Sequence, residues 1–321
     1  MRKSGFVNKK VVVIGGGHGQ AAVCRGIKNI EGIELSAIVT VADNGGSTGR
    51  LRKMFNTPAM GDIRDVMIAL SQDESLMREL MDYRFQDPQG TLDDVAGHNL
   101  GNLILLALMQ KKGSFLEAVK EIGKVLNVKG KIIPSTTQVV TLCALMEDGC
   151  VVEGQAEIPM HPGGIRKVFY NTHVSALPEA VEAIKEADWV IYCIGSLYTS
   201  VIPNVIINEI QEALQKTRAK RVYICNAMSQ PGETDGYSLE DHVRALEDAG
   251  CGIDICIASM DEIPAHILAR YRAEGSDVVR ATESVHKYQI IEEELLKFDD
   301  ELVRHDSNKI EIAIGRLLEG M

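Results

Sequence analysis

Short apolar runs typical of buried strands alternate with helical periodicity along much of the chain, and this pattern restricts the fold more than any other feature. Strand patterns lie at residues 11–14, 35–41, 189–193, 221–225 and 253–257. Helical patterns follow four of them, at about 20–28, 205–216, 239–249 and 265–273. Strands that alternate with helices pair in parallel and are covered by helices on both faces. The sequence therefore predicts a three-layer α/β/α protein with a Rossmann-like, doubly wound, mainly parallel sheet.

The middle of the chain breaks this alternation. Helical periodicity runs through residues 63–71, 74–83, 100–109 and 115–125. Two strand-like segments, 139–145 and 150–158, then flank the turn Glu147-Asp148-Gly149 and predict an antiparallel hairpin. A short strand near 302–304 and a helix over 309–318 close the pattern. Because no linker or repeat separates these parts, and the polar stretch 87–94 is interpreted as a loop, we expect one domain over 1–321 with a helical and β-hairpin insertion.

Charge and cysteine content exclude several classes of protein. The net charge of −11 argues against sequence-independent nucleic-acid binding, which depends on basic surface. The apolar runs are too short to span a bilayer, and the N-terminal residues do not resemble a secretory signal. Seven cysteines without a paired framework suit a reducing cytosol. We therefore expect a cytoplasmic protein with no nucleic-acid partner and no membrane span, which assembles with copies of itself.

Glycine-rich turns follow the first two predicted strands. Residues 15–19 read GGGHG, and residues 43–52 read DNGGSTGRLR. Glycine lets backbone N–H groups turn towards a ligand and lets the ligand come close. Arginine adds a planar cation suited to phosphate. Two such turns after successive strands predict a phosphorylated, nucleotide-like ligand at the carboxyl edge of the sheet.

The first turn also fits a dinucleotide such as NAD. Gly17, Gly19 and Ala22 match the loose G-x-G-x-x-A pattern, and Asp43 lies at the end of the second strand, where a ribose-binding acid is found. The pattern is weak by itself, because doubly wound folds also use glycine for tight turns. A P-loop NTPase is not indicated, since neither glycine cluster is followed by Gly-Lys-Ser/Thr.

Four more polar clusters lie where predicted strands end or predicted helices begin: GDIR at 61–64, HNLGN at 98–102, GSLYTS at 195–200 and NAMSQPGETDG at 226–236. Each has a structural alternative, which for the loop at 226–236 is a plain connector. Asp62 can simply cap a helix or can be a second ligand or metal carboxylate. Asn99 and Asn102 share a helical face, and can satisfy backbone groups or grip a base or sugar. The hydroxyls at 195–200 can cap a helix or form an anion nest.

Taken in order over nearly the whole chain, these blocks resemble the signature blocks of the CofD-like superfamily, in its YvcK/GlmR (gluconeogenesis factor) branch. The resemblance implies one of two activities. The CofD branch transfers phospholactate to a deazaflavin with magnesium and guanine-nucleotide chemistry. The YvcK branch binds UDP-sugars and supports cell-envelope precursor supply and cell shape on gluconeogenic carbon sources, as a cytoplasmic regulator without an established reaction. A regulated cytosolic enzyme would be the protein partner of such a regulator.

The resemblance and the loop positions together define the expected ligand-binding residues: Gly16, Gly17, His18, Gly19, Asp43, Asn44, Ser47, Thr48, Arg52, Asp62, Asn99, Asn102, Ser196, Leu197, Tyr198, Thr199, Asn226, Gln230, Glu233, Thr234, Tyr271 and Arg304. Tyr271 and Arg304 match C-terminal ligand contacts of the YvcK branch. Their alternatives are a core-edge aromatic with a wet hydroxyl and a surface ion pair. No residue is assigned a catalytic role.

Two hypotheses follow, a ligand-sensing regulator and a metal-dependent transferase. In the transferase, Asp43 and Asp62 would hold Mg²⁺. The chain departs from the usual superfamily pattern in three blocks of the expected pocket, with Asn44 for an aspartate, His18 for a threonine, and Cys193-Ile194 for a glycine and a proline. Loss of the carboxylate at position 44 favours the regulator, because phosphoryl-type transfer depends on charge neutralisation by the metal.

Overall fold

The computed structural model describes residues 8–87, 95–299 and 301–320. Residues 88–94 of the predicted polar loop, and residues 1–7 of the N-terminal segment, lie outside the described part of the chain. In the described part, the strands are β1 (Lys9–Gly15), β2 (Ile33–Val39), β3 (Lys131–Pro134), β4 (Leu142–Met146), β5 (Val151–Glu153), β6 (Ile165–Tyr170), β7 (Trp189–Tyr192), β8 (Lys220–Ile224), β9 (Ile255–Ser259), β10 (Gln289–Glu293), β11 (Leu296–Asp299) and β12 (Leu302–His305).

The helices connect these strands and cover the main sheet. They are α1 (Gly17–Ile27), α2 (Gly46–Phe55), α3 (Gly61–Leu70), α4 (Glu74–Met81), α5 (Leu100–Lys112), α6 (Phe115–Val125), α7 (Pro178–Glu186), α8 (Ile202–Val205), α9 (Asn208–Lys216), α10 (Leu239–Asp248), α11 (Ala265–Ala273) and α12 (Ser307–Glu319). A short 3₁₀ helix spans Ile158–Met160, and a π-helical turn spans Leu197–Val201. Among the described residues, no helix is both long and apolar enough to cross a bilayer.

The main sheet confirms the predicted doubly wound α/β fold. Its seven strands are parallel and lie in the order β10-β9-β8-β7-β1-β2-β3. The inner strands are almost continuously apolar and buried because helices cover both faces. The chain runs outward from β1 to β3 and then returns to the opposite side of β1 at β7. The strand order therefore reverses between β1 and β7, and ligands of open α/β sheets bind at such a switch point.

The insertion between β3 and β7 contains the predicted antiparallel hairpin. Strands β4 and β5 pair with Ala144 opposite Val152, and β6 adds a third strand on the other side of β4. A second hairpin, β11–β12, precedes the last helix. The sequence patterns did not reveal β3, β6, β10, β11 or α7. These elements are short or lie at edges, and α7 buries only Ala180 and Ile184, so its apolar periodicity is faint.

Candidate functional site

A cleft of about 860 Å³ opens at the switch point, where the loops after β1, β7 and β8 meet. Its volume lies within the usual range for small-molecule sites. Ten of the expected ligand-binding residues line it: Gly16, Gly17, His18, Gly19, Asp62, Ser196, Asn226, Gln230, Tyr271 and Arg304. The parallel strands bring together the residues of the loops after β1, β7 and β8, because the carboxyl ends of these strands share one edge of the sheet. Asp62, Tyr271 and Arg304 come from α3, α11 and β12.

The N-terminus of α1 forms one wall of the cleft. Gly16 is the N-cap residue, and no side chain caps the first amides of this helix. A Cβ atom at Gly19 would lie 2.1 Å from the Ile194 carbonyl oxygen, so only glycine permits this approach to the loop after β7. Gly17 adopts a φ of +54°, which also favours glycine. Open amides at the positive end of a helix dipole attract an anion.

Arg304, on strand β12 of the β11–β12 hairpin, supplies a cation to the wall of the cleft that faces α1. Its side chain is exposed and forms no ion pair with any carboxylate that the structure describes. The other basic side chains of the cleft differ in this respect. Arg25 and Arg78 pair with Glu74 at 2.5 and 2.6 Å, and Lys297 pairs with Asp299 at 2.6 Å. Arg304 is therefore the cleft cation whose charge is least compensated within the described residues.

Tyr271 positions the hairpin that carries Arg304. Its hydroxyl accepts a hydrogen bond from the Val303 amide at 3.0 Å, next to Arg304 in the chain. The adjacent Arg270 pairs with Glu301 at 3.1 Å, which ties the same hairpin to α11. The Tyr271 hydroxyl therefore accepts a hydrogen bond from the backbone, whereas the structural alternative described a hydroxyl bonded to solvent.

Three aspartates surround the start of α3. Burial, followed by the charges of Asp43 and Asp65, raises the pKa of Asp62 well above its usual value. Burial also raises the pKa of Asp43, against a hydrogen bond from the Gly45 amide at 2.8 Å. Met60 is the N-cap residue of α3, so the interpretation of Asp62 as a simple cap is wrong. Asp62 instead presents to the cleft a carboxylate that accepts no hydrogen bond from the described residues.

The donor set at this point fits a divalent cation in kind. Carboxylate oxygens are the ligands that Mg²⁺ prefers, and the crowding of negative charge around Asp62 is what a cation would relieve. Asp43 and Asp62 would be the ligands. Bound Mg²⁺ would supply charge neutralisation for a phosphate group.

Replacing Asp62 with asparagine is expected to stabilise the metal-free protein at neutral pH. A raised folded-state pKa means that the folded chain holds this proton more tightly than the unfolded chain. The free energy of unfolding therefore falls as pH rises from the ordinary aspartate range through the folded pKa. Asp62→Asn removes this penalty, and we expect a gain on the order of 1 kcal/mol at pH 8 with little gain at pH 4.

Urea denaturation at both pH values, with a chelator present, measures this effect. Asp248→Asn on the exposed side of α10 is the matched control and should leave the unfolding curve near that of the wild type. A loss of stability at pH 8 in Asp62→Asn would contradict the expectation.

A network behind the cleft accounts for the residues of the HNLGN block. The Ser47 hydroxyl lies 2.9 Å from His98 Nδ1 and accepts a hydrogen bond from the Asn102 amide at 3.2 Å. Asn102 Oδ1 accepts from Arg64 at 3.1 Å, and the Asn99 side chain donates to the Asp82 carbonyl at 3.3 Å. These asparagines are buried and satisfy internal polar groups, and they do not line the cleft.

The loop after β2 is tied to the hairpin insertion. Arg52 donates to the Asp43 carbonyl at 2.7 Å and to the Val140 carbonyl. The Asn44 amide nitrogen donates to Glu157 at 2.7 Å, and its oxygen accepts from the Ala156 amide at 2.8 Å. An aspartate at position 44 would place a second carboxylate against Glu157, so this contact gives the departure at 44 a structural reason. Asp43, Asn44, Ser47, Thr48 and Arg52 lie outside the cleft lining.

Glu233 organises the loops after β7 and β8. Its buried carboxylate accepts hydrogen bonds from the Tyr198 amide at 3.1 Å, the Thr199 hydroxyl at 2.8 Å and the Gln230 side chain at 2.9 Å. Gln230 in turn accepts from Ser196 at 2.9 Å, and both of these residues line the cleft. The donors of the predicted anion nest at 195–200 thus bind the carboxylate of Glu233, which belongs to the protein itself. Leu197, Tyr198, Thr199, Glu233 and Thr234 lie behind the lining.

Several cleft residues were not expected from sequence. They are chiefly Arg25, Asp65, Arg78, Asp82, Lys297, and the N-cap and first two residues of α12, Asp306 to Asn308. Helical spacing could have revealed two of them, because Asp65 lies one turn after Asp62 and Arg25 two turns after His18. The others come from elements that are remote in the chain, and no local pattern marks them.

The fold and cleft define a Rossmann-like α/β protein with a ligand cleft at the switch point of its sheet. Residues 11–296 match the model of the CofD family, described as 2-phospho-L-lactate transferase CofD. A putative gluconeogenesis factor from Thermotoga maritima is 41% identical over 315 residues, which cover 96% of this chain and 99% of the relative. A gluconeogenesis factor from Bacillus subtilis is 42% identical over 316 residues, covering 97% and 98%.

A solved structure agrees with these sequence relatives. The crystal structure of a UPF0052 family member from Bacillus halodurans superposes with a TM-score of 0.88 at 38% identity, over 95% of this chain and 99% of that chain. This chain therefore belongs to the CofD family, in the branch of the gluconeogenesis factors. The resemblance inferred from the sequence blocks is confirmed.

Proposed function

We propose that this chain is a cytoplasmic regulatory protein that binds a UDP-sugar, or a related nucleotide, in the switch-point cleft. In this proposal the bound state supports cell-envelope precursor supply and cell shape on gluconeogenic carbon sources, through a cytosolic enzyme that reads it. The relatives named gluconeogenesis factor support a role in that metabolic condition.

The observation that carries the ligand class is the pairing of two anion-binding features in one cleft. The first amides of α1 have no side-chain cap, and the Arg304 guanidinium has no carboxylate partner among the described residues. A diphosphate can accept hydrogen bonds from both kinds of donor. Asp43 lies outside the cleft lining, which favours a nucleotide sugar over an NAD-like ligand that needs a ribose-binding acid there.

A metal-dependent transferase is the second candidate, and the unpartnered Asp62 carboxylate is the observation in its favour. Asn44 counts against it, because its amide is engaged with Glu157 and brings no charge to a metal. The two candidates differ in one measurable respect. A transferase consumes its nucleotide in the presence of Mg²⁺ and an acceptor, whereas a regulator releases it unchanged.

Calorimetric titration with UDP-GlcNAc, UDP-glucose, NAD and GDP, each with and without Mg²⁺, tests the ligand class. We expect saturable binding of a UDP-sugar, with UMP and free sugar much weaker because neither carries the diphosphate. Chromatography of the recovered nucleotide then tests for turnover. Binding of GDP or NAD alone would overturn the UDP-sugar proposal, and turnover would replace the regulator with the transferase.

A genetic test addresses the cellular role. The chain, expressed in a Bacillus subtilis strain that lacks its own gluconeogenesis factor, is expected to restore growth and rod shape on a gluconeogenic carbon source. The Arg304→Ala variant, produced at the same level, should restore less. Equal restoration by both would separate the cellular role from the cleft.

A further inference from the structure

The hairpin insertion carries a group of metal-type side chains far from the carboxylates of the cleft. Asp148 and Cys150 lie in and just after the turn between β4 and β5, and His161 follows the short 3₁₀ helix. Each of these residues offers one ligand atom, and the three atoms lie within 4.8 Å of one another. None of the three residues lines the cleft.

Cys150 differs from the other cysteines of the chain. Six of the seven are buried, and Cys150 alone is exposed. The other six lie in the core, where their thiols are closed to ions from solution. An exposed thiol beside a carboxylate and an imidazole is the combination that zinc sites use.

The local backbone holds these side chains in place. Asp148 accepts a hydrogen bond from the Cys150 amide at 2.9 Å, and Gly149 between them adopts a φ of +89° that favours glycine. His161 is anchored by the buried Ile158 of the preceding turn, whose carbonyl accepts the His161 amide at 3.3 Å. Its Nδ1 atom is buried, and its Nε2 atom lies 3.7 Å from Asp148 Oδ2. Nε2 is thus the nitrogen that faces Asp148.

We propose that Asp148, Cys150 and His161 form a binding site for a divalent transition-metal ion, of which Zn²⁺ is the best match. Ligand atoms of a tetrahedral zinc site are about 3.3–3.8 Å apart, given the usual zinc–ligand bond lengths. The His161–Asp148 separation already meets this, and the thiol needs only a small adjustment at an exposed turn. The metal displaces the thiol proton to solvent, and its fourth position is left to water or another ligand.

The site is placed to stiffen the insertion. It joins the β4–β5 turn to the residue after the 3₁₀ helix, and that helix packs against the loop after β8. The backbones touch closely here, since a Cβ atom at Gly232 would lie 2.0 Å from the Pro159 carbonyl oxygen. A metal at this site would therefore raise thermal stability without entering the cleft. The proposal does not depend on the identity of the nucleotide ligand.

Untagged, chelator-treated protein titrated with Zn²⁺ alone tests the site. We expect one equivalent to bind, to raise the melting temperature and to slow modification of the fast-reacting native thiol. Co²⁺ should give thiolate charge-transfer absorption in the near ultraviolet. Cys150→Ser and His161→Ala should each weaken Zn²⁺ binding at least about tenfold, since even second-shell changes at metal sites have effects of that size. Because His161→Ala keeps the thiol, loss of the cobalt band in this variant would show that the thiol binds Co²⁺ only together with His161.

His173→Ala is the matched control, because His173 is an exposed histidine of the same insertion whose described hydrogen bonds are to Ser175 and Gln138. It should bind Zn²⁺ like the wild type. Equal Zn²⁺ affinity in wild type, Cys150→Ser and His161→Ala would overturn the proposal. So would a thiol whose modification rate Zn²⁺ leaves unchanged.

Discussion

Replacing Arg304 with alanine is expected to weaken UDP-sugar binding by about ten- to a hundredfold while leaving the stability of the protein almost unchanged. Hydrogen bonds to charged groups contribute roughly 1.5–3 kcal/mol, and each 1.4 kcal/mol is a factor of about ten in affinity. Stability should change by less than about 0.5 kcal/mol, because the exposed guanidinium has no ion-pair partner among the described residues. Calorimetric titration and thermal unfolding of the same preparations measure both quantities.

A lysine at position 304 separates charge from geometry. It keeps the positive charge and loses the planar fork that grips two phosphate oxygens, so we expect only partial recovery of affinity. Arg316→Ala is the control, since Arg316 lies on α12 outside the cleft and pairs with Glu293 at 3.2 Å. Unchanged affinity in Arg304→Ala would remove this residue from the site, and full recovery by lysine would show that the electrostatic field suffices.

Replacing Glu233 with alanine is expected to cost about 2–4 kcal/mol of stability and to weaken ligand binding as well. The substitution leaves the Tyr198 amide, the Thr199 hydroxyl and the Gln230 side chain without their common acceptor. Each buried donor that loses its partner costs about 1–3 kcal/mol, partly offset because an expensive buried charge is also removed. Burial raises the pKa of Glu233, which agrees with a free-energy cost of burying its charge.

Urea denaturation measures the loss, and Glu233→Gln distinguishes shape from charge. Thr199 and Gln230 both donate to Oε1 of Glu233, and the Tyr198 amide donates to Oε2, so a glutamine keeps an acceptor on one side and turns an NH₂ donor to the other. Its loss of stability should therefore be smaller than that of the alanine variant but greater than zero. Glu212→Ala is the control, because Glu212 is an exposed residue paired only with Lys216 along α9. Wild-type stability in Glu233→Ala would show that these loops hold their shape without the carboxylate.

Local sequence patterns were enough for most of the main sheet and for the edge at which the site lies. The apolar runs of β1, β2, β7, β8 and β9 are short but mostly buried, because helices cover both faces of each strand. The edge strand β10 reads QIIEE, and its half-exposed pattern is much fainter. Elements with little burial leave little periodicity, so β10 and α7 had to come from the structure.

The roles of individual polar side chains were less predictable than the loops that carry them. Glycine at positions 16, 17 and 19 marks the wall of the cleft, and the structure places these glycines there. Asn102 and Glu233 belong to equally polar blocks, yet both point away from the cleft into buried networks. The composition and spacing of a polar block are the same whether its side chains contact a ligand or form hydrogen bonds that hold neighbouring residues in place.

The sequence alone determined the α/β class, the alternation of strands and helices that makes the sheet parallel, and the set of loops at the carboxyl edge. These features depend on periodicity and turn chemistry within a few residues. Only the tertiary structure decided which groups remain uncompensated. Arg304 has no carboxylate partner in the part of the chain that the structure describes, whereas Arg25 and Arg78 share Glu74, and the Asp62 carboxylate is crowded by Asp43 and Asp65. Arg25 and Glu74 are 49 positions apart in the chain, and the energy of such a pairing depends on burial and distance, which no local pattern encodes.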